Sequence, residues 1–573
     1  MKSQFLNVGR LRLSVIQTLA YLGNAPRAQH ALSWGILLAG LIIWTAAQSY
    51  LTVSPLQNRA LPPEVDDTLT YVVKTAQMEE CFFQDCPALE DLRKQLLVLN
   101  SDPEVAAQQR LASSRIYPFY HPLFSLILLG LKQCGMDLMT AYKSVWYIGP
   151  LLFGSAFAYL LAVLWGVPAA GIALVLLAFK VFPDTGLDLV VPSTLARAMA
   201  VIVWARIISR NGDAPWTLVI GTIALVTMHP VGRLYALMAV LFMVLISAAP
   251  GRRRTWLPVL LTVLIVAVAF ILPALVERPS MFNPTIVHKG HNPLVSALIG
   301  FGESALTVWT QIVRLQAGLF GSVPLFCAVV VLGFLVLEPA RRRIVGRITL
   351  AYVFFFLAIH LYVSNHPADV VLRIWIPLIV ILFGAVGKAI EYAFRRSWQL
   401  FIRHYTDPEG AGHVDAAKGW PVVLLAFLLG YSFYMVVSGS EQIYATQQHL
   451  TERQPLQFVS SQPELLMSQA KPGDRVLYTS MMIMPYYFIH GAMQLGAVYY
   501  HPALKGTPTE TEWLKRPDLH YAVTYNPTVY HPSFEGVDEN KWWTTSPEFR
   551  YSPLAHPVKS RPVSREGWIP AAE

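Results

Sequence analysis

The sequence predicts an all-α polytopic membrane bundle of about 11 to 13 transmembrane helices with a small α/β domain outside the membrane at its C-terminal end. Three observations lead there. Of 573 residues, 54% are hydrophobic and only 14% charged, whereas soluble domains carry about a quarter charged residues; the mean hydropathy is +0.44. Apolar runs near the length that crosses a hydrocarbon core of roughly 30 Å recur, starting at Ala31, Tyr147, Leu257, Pro324 and Pro421. Beyond Ser440 the composition becomes that of a globular domain. The runs read as helices because the strands of a membrane β-barrel would alternate.

Residues 1–30 carry Lys2, Arg10, Arg12 and Arg27 with no small-residue cleavage site, which predicts a cytoplasmic start. The basic loops Gly251–Trp256, Glu338–Arg347 and Glu391–Tyr405 also belong in the cytoplasm by the positive-inside rule. The net charge of +9 then reflects topology and anionic lipid, not nucleic acid. Counting back, Ile348–Val363 exits, Ile374–Ile390 returns and Pro421–Val437 exits, which leaves residues 439–573 outside, in the periplasm of a cell whose inner (plasma) membrane holds residues 31–438. The crossing number is therefore odd. A total of about eleven keeps Arg252 and Arg341 inside if Leu294–Val313 only dips in, and if an upstream run such as Ala169–Val181 is short or re-entrant.

Residues 51–118 form a first external loop, whose stretch "PALEDLRKQLLVLN" suits an interface. Cys81 and Cys86, five apart in an oxidising compartment, are expected to form a local disulfide; two free thiols are the alternative. A CxxxxC pair with no second pair of ligands does not make a metal site. Cys134 and Cys327 lie in apolar segments and read as small core residues. In the tail, "DRVLYTS", "GAVYYHP" and "HYAVTYNP" read as short strands in a partly parallel sheet, with "MMIMPYYFIHGAMQ" a helix between the first two. No GxGxxG, Walker loop or HExxH gives the tail a catalytic role of its own.

The chemistry-bearing residues are few. Glu64, Asp66 and Asp67 follow the first span and precede "TLTYVVKTAQ", which has helical spacing. Exposed carboxylates are ordinarily solvated, and capping a helix start accounts for one aspartate, hardly for two and a glutamate. Arg373 stands at the external mouth of a late span, where a guanidinium grips phosphate with two prongs or simply snorkels. Lys289, flanked by His288 and His291, is a second phosphate candidate or an ordinary loop residue. Arg115 and His121 precede the second apolar segment and could complete a basic rim by position. His229 and Arg233 flank a break at Pro230 and Gly232, and polar groups at such breaks in membrane helices are functional candidates or snorkelling pairs.

In the order of these features the chain resembles the GT-C superfamily of polytopic glycosyltransferases, which use polyprenyl-phosphate sugars. "DDTLTY" resembles the family's acidic pair after the first span. "YPFYHPLFSLILLGL" is similar to its PPL opening of the second span, with His121, Pro122 and Leu123 in place of the double proline. "GMDLMTAYKSVWYIGPLLFGSAFAYLLAVLWG" is similar to its small-residue third span, and "VVLRIWIPLIVIL" to its late RYLLP segment, with Arg373 where the family keeps an arginine.

The resemblance implies a GT-C-like bundle that transfers a sugar from a polyprenyl-phosphate donor to a glycan, lipid or protein acceptor during cell-envelope or polysaccharide assembly, alongside envelope assembly proteins. It implies Asp66 or Asp67 as the catalytic acid of the first external loop; of the two, Asp66 is taken as base, with Asp67 and Glu64 orienting the acceptor or binding a divalent metal. Adjacent residues on a helix point about 100° apart, so the two aspartates do not share one job. It places Arg373 and Lys289 on the leaving phosphate. The family's metal-dependent branch supplies further acids in later loops; none is evident here, so no cofactor is certain and a divalent metal stays an option. The rival readings are a lipid-linked glycan transporter, which predicts inverted repeats and charges at mid-membrane, and a noncatalytic subunit of a polysaccharide assembly complex.

Overall fold

The computed structural model describes residues 26–53, 68–80, 87–88, 91, 122–181, 192–247, 256–275, 320–362, 368–406, 419–452, 466–468, 470–478, 487–488, 491–499, 519–525, 543–546 and 549–553. Thirteen helices of eight or more residues are described: α1 Pro26–Thr52, α2 Thr68–Glu80, α3 Pro122–Gln133, α4 Leu138–Trp165, α5 Val167–Ala178, α6 Pro192–Ser209, α7 Pro215–Met228, α8 Val231–Ser247, α9 Trp256–Leu275, α10 Val323–Leu335, α11 Pro339–Tyr362, α12 Ala368–Thr406 and α13 Trp420–Glu452. Among the described residues, four helical stretches are both long and apolar enough to cross a membrane: Arg27–Thr52, Leu138–Trp165, Ile376–Ile402 and Trp420–Gln448. Six shorter apolar helices accompany them.

The core of the bundle is α5. Its alanines and glycine let neighbours approach to backbone contact, the usual device for packing helices where lipid removes the hydrophobic drive. A β-carbon on Gly171 would lie 2.5 Å from the Ile36 carbonyl oxygen, and one on Gly40 would collide with Gly171 itself. On the other side, Gly387 of α12 meets the Ala169 carbonyl. These contacts clamp α5 between α1 and α12.

The same contacts fix direction. Gly171 lies level with Ile36 and Leu37, and Gln48 donates to the Ala178 carbonyl at 2.9 Å, so α1 and α5 run parallel. Gly166, at φ +102°, a value that favours glycine, reverses the chain between α4 and α5. Hence α4 is antiparallel to α1, as the 2.8 Å bond from Trp44 Nε1 to the Pro150 carbonyl and the seat of Gly154 against Leu41 and Trp44 require. The end of α1 and the start of α4 therefore share one face of the bundle. Leu51, Val181 and Ile443 cluster at that face, and from it α13 leads toward the C-terminal sheet; it is called the sheet-side face below.

This arrangement corrects two expectations. The segment resembling the opening of a second span forms α3, 12 residues long and about 18 Å at 1.5 Å per residue. It lies in a connection, residues 53–137, whose two ends share a face, so α3 does not carry the chain across between α1 and α4. Instead it runs beside α2: the Tyr71 and Phe124 rings meet edge to face, Thr75 bonds Ser125, and Lys132 pairs with Glu79 at 2.7 Å. The region likened to a third span is α4, the next traverse after α1. The run at Ala169–Val181 is short, as α5, yet it connects the two faces.

At the far face, Trp165 packs on Phe334 with ring centroids 4.9 Å apart, and an Arg341 guanidinium nitrogen lies 3.5 Å from the β-carbon position of Gly166. Tyr159 Oη and Ser209 Oγ lie 3.2 Å apart, so α6 ends near the end of α4 and begins at the sheet-side face. The 39 residues of α12 are buried from Ile376 to Ala393 and then leave the bundle, with Phe394 and Phe401 exposed. Its level contact with Trp165 and Ala169 at Gly384 and Gly387 sets its first turns toward the sheet side. Cys134 and Cys327 are exposed free thiols, not core residues. Cys327 sits one step round α10 from the buried Phe326, and Cys134 lies past the end of α3.

Beyond α13 a five-stranded sheet has the order β2-β1-β3-β5-β4, with β1 Arg475–Tyr478, β2 Gly496–Tyr499, β3 Leu519–Tyr525, β4 Trp543–Ser546 and β5 Phe549–Pro553. β1 pairs parallel with β2 and β3, while β3, β5 and β4 pair antiparallel. Strands stand at the three segments expected; the β4–β5 hairpin was not foreseen. Between β1 and β2, the described residues include a 3-10 turn at Ala492–Gln494. Helix α13 also continues past the expected boundary at 439 to Glu452.

Candidate active site at the sheet-side face

Glu64, Asp66 and Asp67 lie outside the described residues, immediately ahead of α2 and within the connection that starts and ends at the sheet-side face. Arg115, His121, Lys289 and the pair Cys81 and Cys86 also lie outside them. Arg373 is in the first turns of α12, which point to that face.

Helix α2 is buried from Tyr71 through Gln77, all the way round, although it carries Lys74, Thr75 and Gln77. Lys74 Nζ stands 5.6 Å above the Tyr71 ring, and the Thr75 hydroxyl donates to the Tyr71 carbonyl at 2.9 Å. Both side-chain amide atoms of Gln77 are buried without a hydrogen-bond partner. Native proteins rarely leave such groups unmatched, because a buried, unsatisfied amide is costly. Sequence reading passed over Gln77, since a glutamine on a short polar helix looks solvent-facing.

The break at Pro230 proves to be the reverse turn between α7 and α8. His229 closes α7 with extended backbone, its N–H bonded to the Leu225 carbonyl at 3.2 Å. Its Nδ1 accepts the Val231 N–H at 3.1 Å, which assigns the ring proton to Nε2. His229 is thus committed to the turn through one nitrogen. Arg233 is half-buried in the first turn of α8. Because α6 begins at the sheet-side face and α7 climbs back, this turn returns to the same face.

Below it lies a buried polar cluster that the sequence reading missed. Arg197 of α6 is fully buried and donates through Nε to the Tyr235 hydroxyl at 3.4 Å. Trp204 donates to the Tyr235 carbonyl at 3.1 Å and stands edge to face with Tyr235, Phe242 and Tyr352. A guanidinium inside an apolar bundle survives only where polar partners meet it. The signal available was a lone arginine in an otherwise apolar stretch, "STLARAMAVIVWA".

A groove of about 520 Å³ lined by Arg206, Arg210, Asp213 and Trp216 occupies the turn between α6 and α7. It opens at the far face and holds none of the predicted site residues. Among the described residues, no three of His, Cys, Asp and Glu come together as metal ligands would.

No protein-family model and no curated protein matches the chain. Solved structures do. The chain is similar to the Archaeoglobus fulgidus oligosaccharyltransferase tethered to an acceptor peptide, at 12% identity and TM-score 0.45, covering 86% of this chain and 69% of that one. It is also similar to ArnT from Cupriavidus metallidurans bound to undecaprenyl phosphate, at 13% identity and TM-score 0.44, covering 94% of this chain and 100% of that one. A further structure of the archaeal enzyme, at 11% identity and TM-score 0.45 with 86% and 69% covered, holds an inhibitory peptide and a dolichol-phosphate. Such likeness specifies no residue, donor or acceptor.

Proposed function

We propose that this protein is a membrane glycosyltransferase that moves a sugar from a polyprenyl-phosphate donor to an acceptor on the sheet-side face. In this reading α1 and α4 to α13 make about eleven traverses. The N-terminus is cytoplasmic, and the sheet belongs to a small α/β domain in the periplasm. The observation that carries the reading is the shared face. The connection bearing Glu64, Asp66 and Asp67 begins and ends where the Arg373-bearing start of α12 points, with the His229 turn on the same side.

The chemistry follows from that pairing of charges. A carboxylate, Asp66, takes the proton of the acceptor hydroxyl as its oxygen forms a bond to the sugar C1. The bond from C1 to the phosphate oxygen breaks with inversion, and the lipid phosphate leaves with the electron pair, its charge met by Arg373 and Lys289. Asp67 and Glu64 orient the acceptor or hold a divalent metal. The acceptor is a glycan, lipid or protein, and the service is to envelope or polysaccharide assembly.

Purified protein incubated with a labelled polyprenyl-phosphate sugar and candidate acceptors tests this. Turnover should fall at least about 100-fold in Asp66→Asn, with donor binding retained, and donor binding should weaken in Arg373→Gln. Full activity in both Asp66→Asn and Asp67→Asn overturns the assignment. Donor binding with no turnover in the native protein favours the noncatalytic reading.

A further inference from the structure

The first external connection is held by the C-terminal sheet. Asp91, buried between α2 and α3 in the sequence, receives two hydrogen bonds from Arg475 at the head of β1: Nε to Oδ2 at 2.7 Å and a terminal nitrogen to Oδ1 at 3.1 Å. The two residues are 384 positions apart. This is the two-pronged geometry in which an arginine fixes a carboxylate's orientation as well as its position. Arg475 is paired in register with Gly496 of β2. A β-carbon on Gly496 would collide with the Arg475 stem and stand 2.8 Å from Asp91 Oδ2, so the glycine makes the space the pair occupies. The Gly496 N–H is itself spent on the Asp474 carbonyl, at 2.8 Å, and Asp474 in turn accepts the Lys471 N–H at 2.7 Å. Three residues before Asp91, Ala88 is fully buried.

The connection folds on itself, α2 against α3, and is held at two places: Phe124 of α3 stands edge to face with Tyr142 of α4, ring centroids 6.1 Å apart, and Asp91 is bound to the sheet. Glu64, Asp66 and Asp67 belong to the same connection, ahead of α2 in the sequence. We propose that Asp91 and Arg475 are positioning residues through which the C-terminal sheet sets the placement of the acid-bearing connection over the sheet-side face. The inference rests on the transferase reading for its consequence, but the docking stands apart from it. A sheet that engages an acceptor would by this route also adjust the acids.

Two readouts test this in the full-length protein. Hydrogen exchange of α2, residues 68–80, and of Ala88 and Asp91 reports docking without any need for turnover, and steady-state transfer reports its consequence. In Arg475→Ala, exchange there should rise at least tenfold while α4 and α5 keep native protection; kcat should fall about tenfold with the donor KM within twofold of native. Arg475→Lys, which keeps charge but not the fork, should fall between. Gly496→Ala, which leaves both charges in place and removes their room, should resemble Arg475→Ala, and it serves if that variant does not fold. Unchanged exchange in Arg475→Ala or Gly496→Ala overturns the docking. Raised exchange with native kcat overturns the positioning role. A native protein that shows protected exchange but no transfer with any acceptor sinks the transferase reading and the positioning role that rests on it, leaving only the docking.

Discussion

Helices α3 and α5 are both 12 residues long and both predominantly apolar, and each is too short to span a membrane by itself. One is a bracket beside α2 that buries only Phe124, Ser125 and Leu128 and leaves Leu126 and Ile127 exposed. The other is buried along nearly its whole length at the centre of the molecule. What separates them is side-chain size. Ala169, Ala170, Gly171 and Ala173 let two neighbours reach backbone contact, whereas the leucines and phenylalanine of α3 hold neighbours at arm's length. In apolar helices too short to span fully, small residues mark the hub and large ones the periphery.

That contrast can be broken most severely at Gly171. A Gly171→Val substitution drives two methyl groups into the backbone of α1 and should cost about 3 kcal/mol or more, read as loss of folded protein in detergent by size-exclusion chromatography. Leu174, fully buried in α5, should cost about 2–5 kcal/mol when cut to alanine. The matching truncation of Leu126, 51% exposed on α3, should change stability by less than about 0.5 kcal/mol. Paired thermal melts followed by tryptophan fluorescence decide the matter; equal losses at Leu174 and Leu126 would erase the distinction.

A smaller effect sharpens the boundary between the two helices. Asp137 caps α4, accepting the Thr140 N–H at 3.0 Å, and the Thr140 hydroxyl, with that N–H, holds its carboxyl below the usual range. A depressed pKa in the folded protein contributes stability above the unfolded value, about 3.9, and loses it as the pH falls through the folded value. Asp137→Ala should therefore cost about 1 kcal/mol at neutral pH, and the gap from native should narrow in melts as the pH falls below the unfolded value. Asp137→Asn should retain most of the cap throughout.

Much of the helical layout was legible because apolar runs and basic loops are written locally. Strands at Arg475, Gly496 and Leu519 were legible for the same reason: short β-branched and aromatic stretches bounded by turn residues. What escaped was decided between distant segments. The direction of α3 depends on the pairing of α1 with α4, which no local pattern records. Arg197 looked like one charge in an apolar run until Tyr235 closed on it. His229 was read as a polar group at a break, and the turn that absorbs its Nδ1 depends on φ and ψ at a single residue. Asp91 looked like one acid among several on an amphipathic stretch, and its partner lies at the far end of the chain.

The backbone contacts that seat α5 between α1 and α12 also have a meaning for traffic. Where carbonyl touches glycine there is no seam into which an alkyl chain can slip, so the interface between α1 and α5 is closed at the level of Gly40 and Gly171. A long-chain ligand of the proposed kind must enter between other helices, and labels facing α5 at Leu37 should stay silent as it binds.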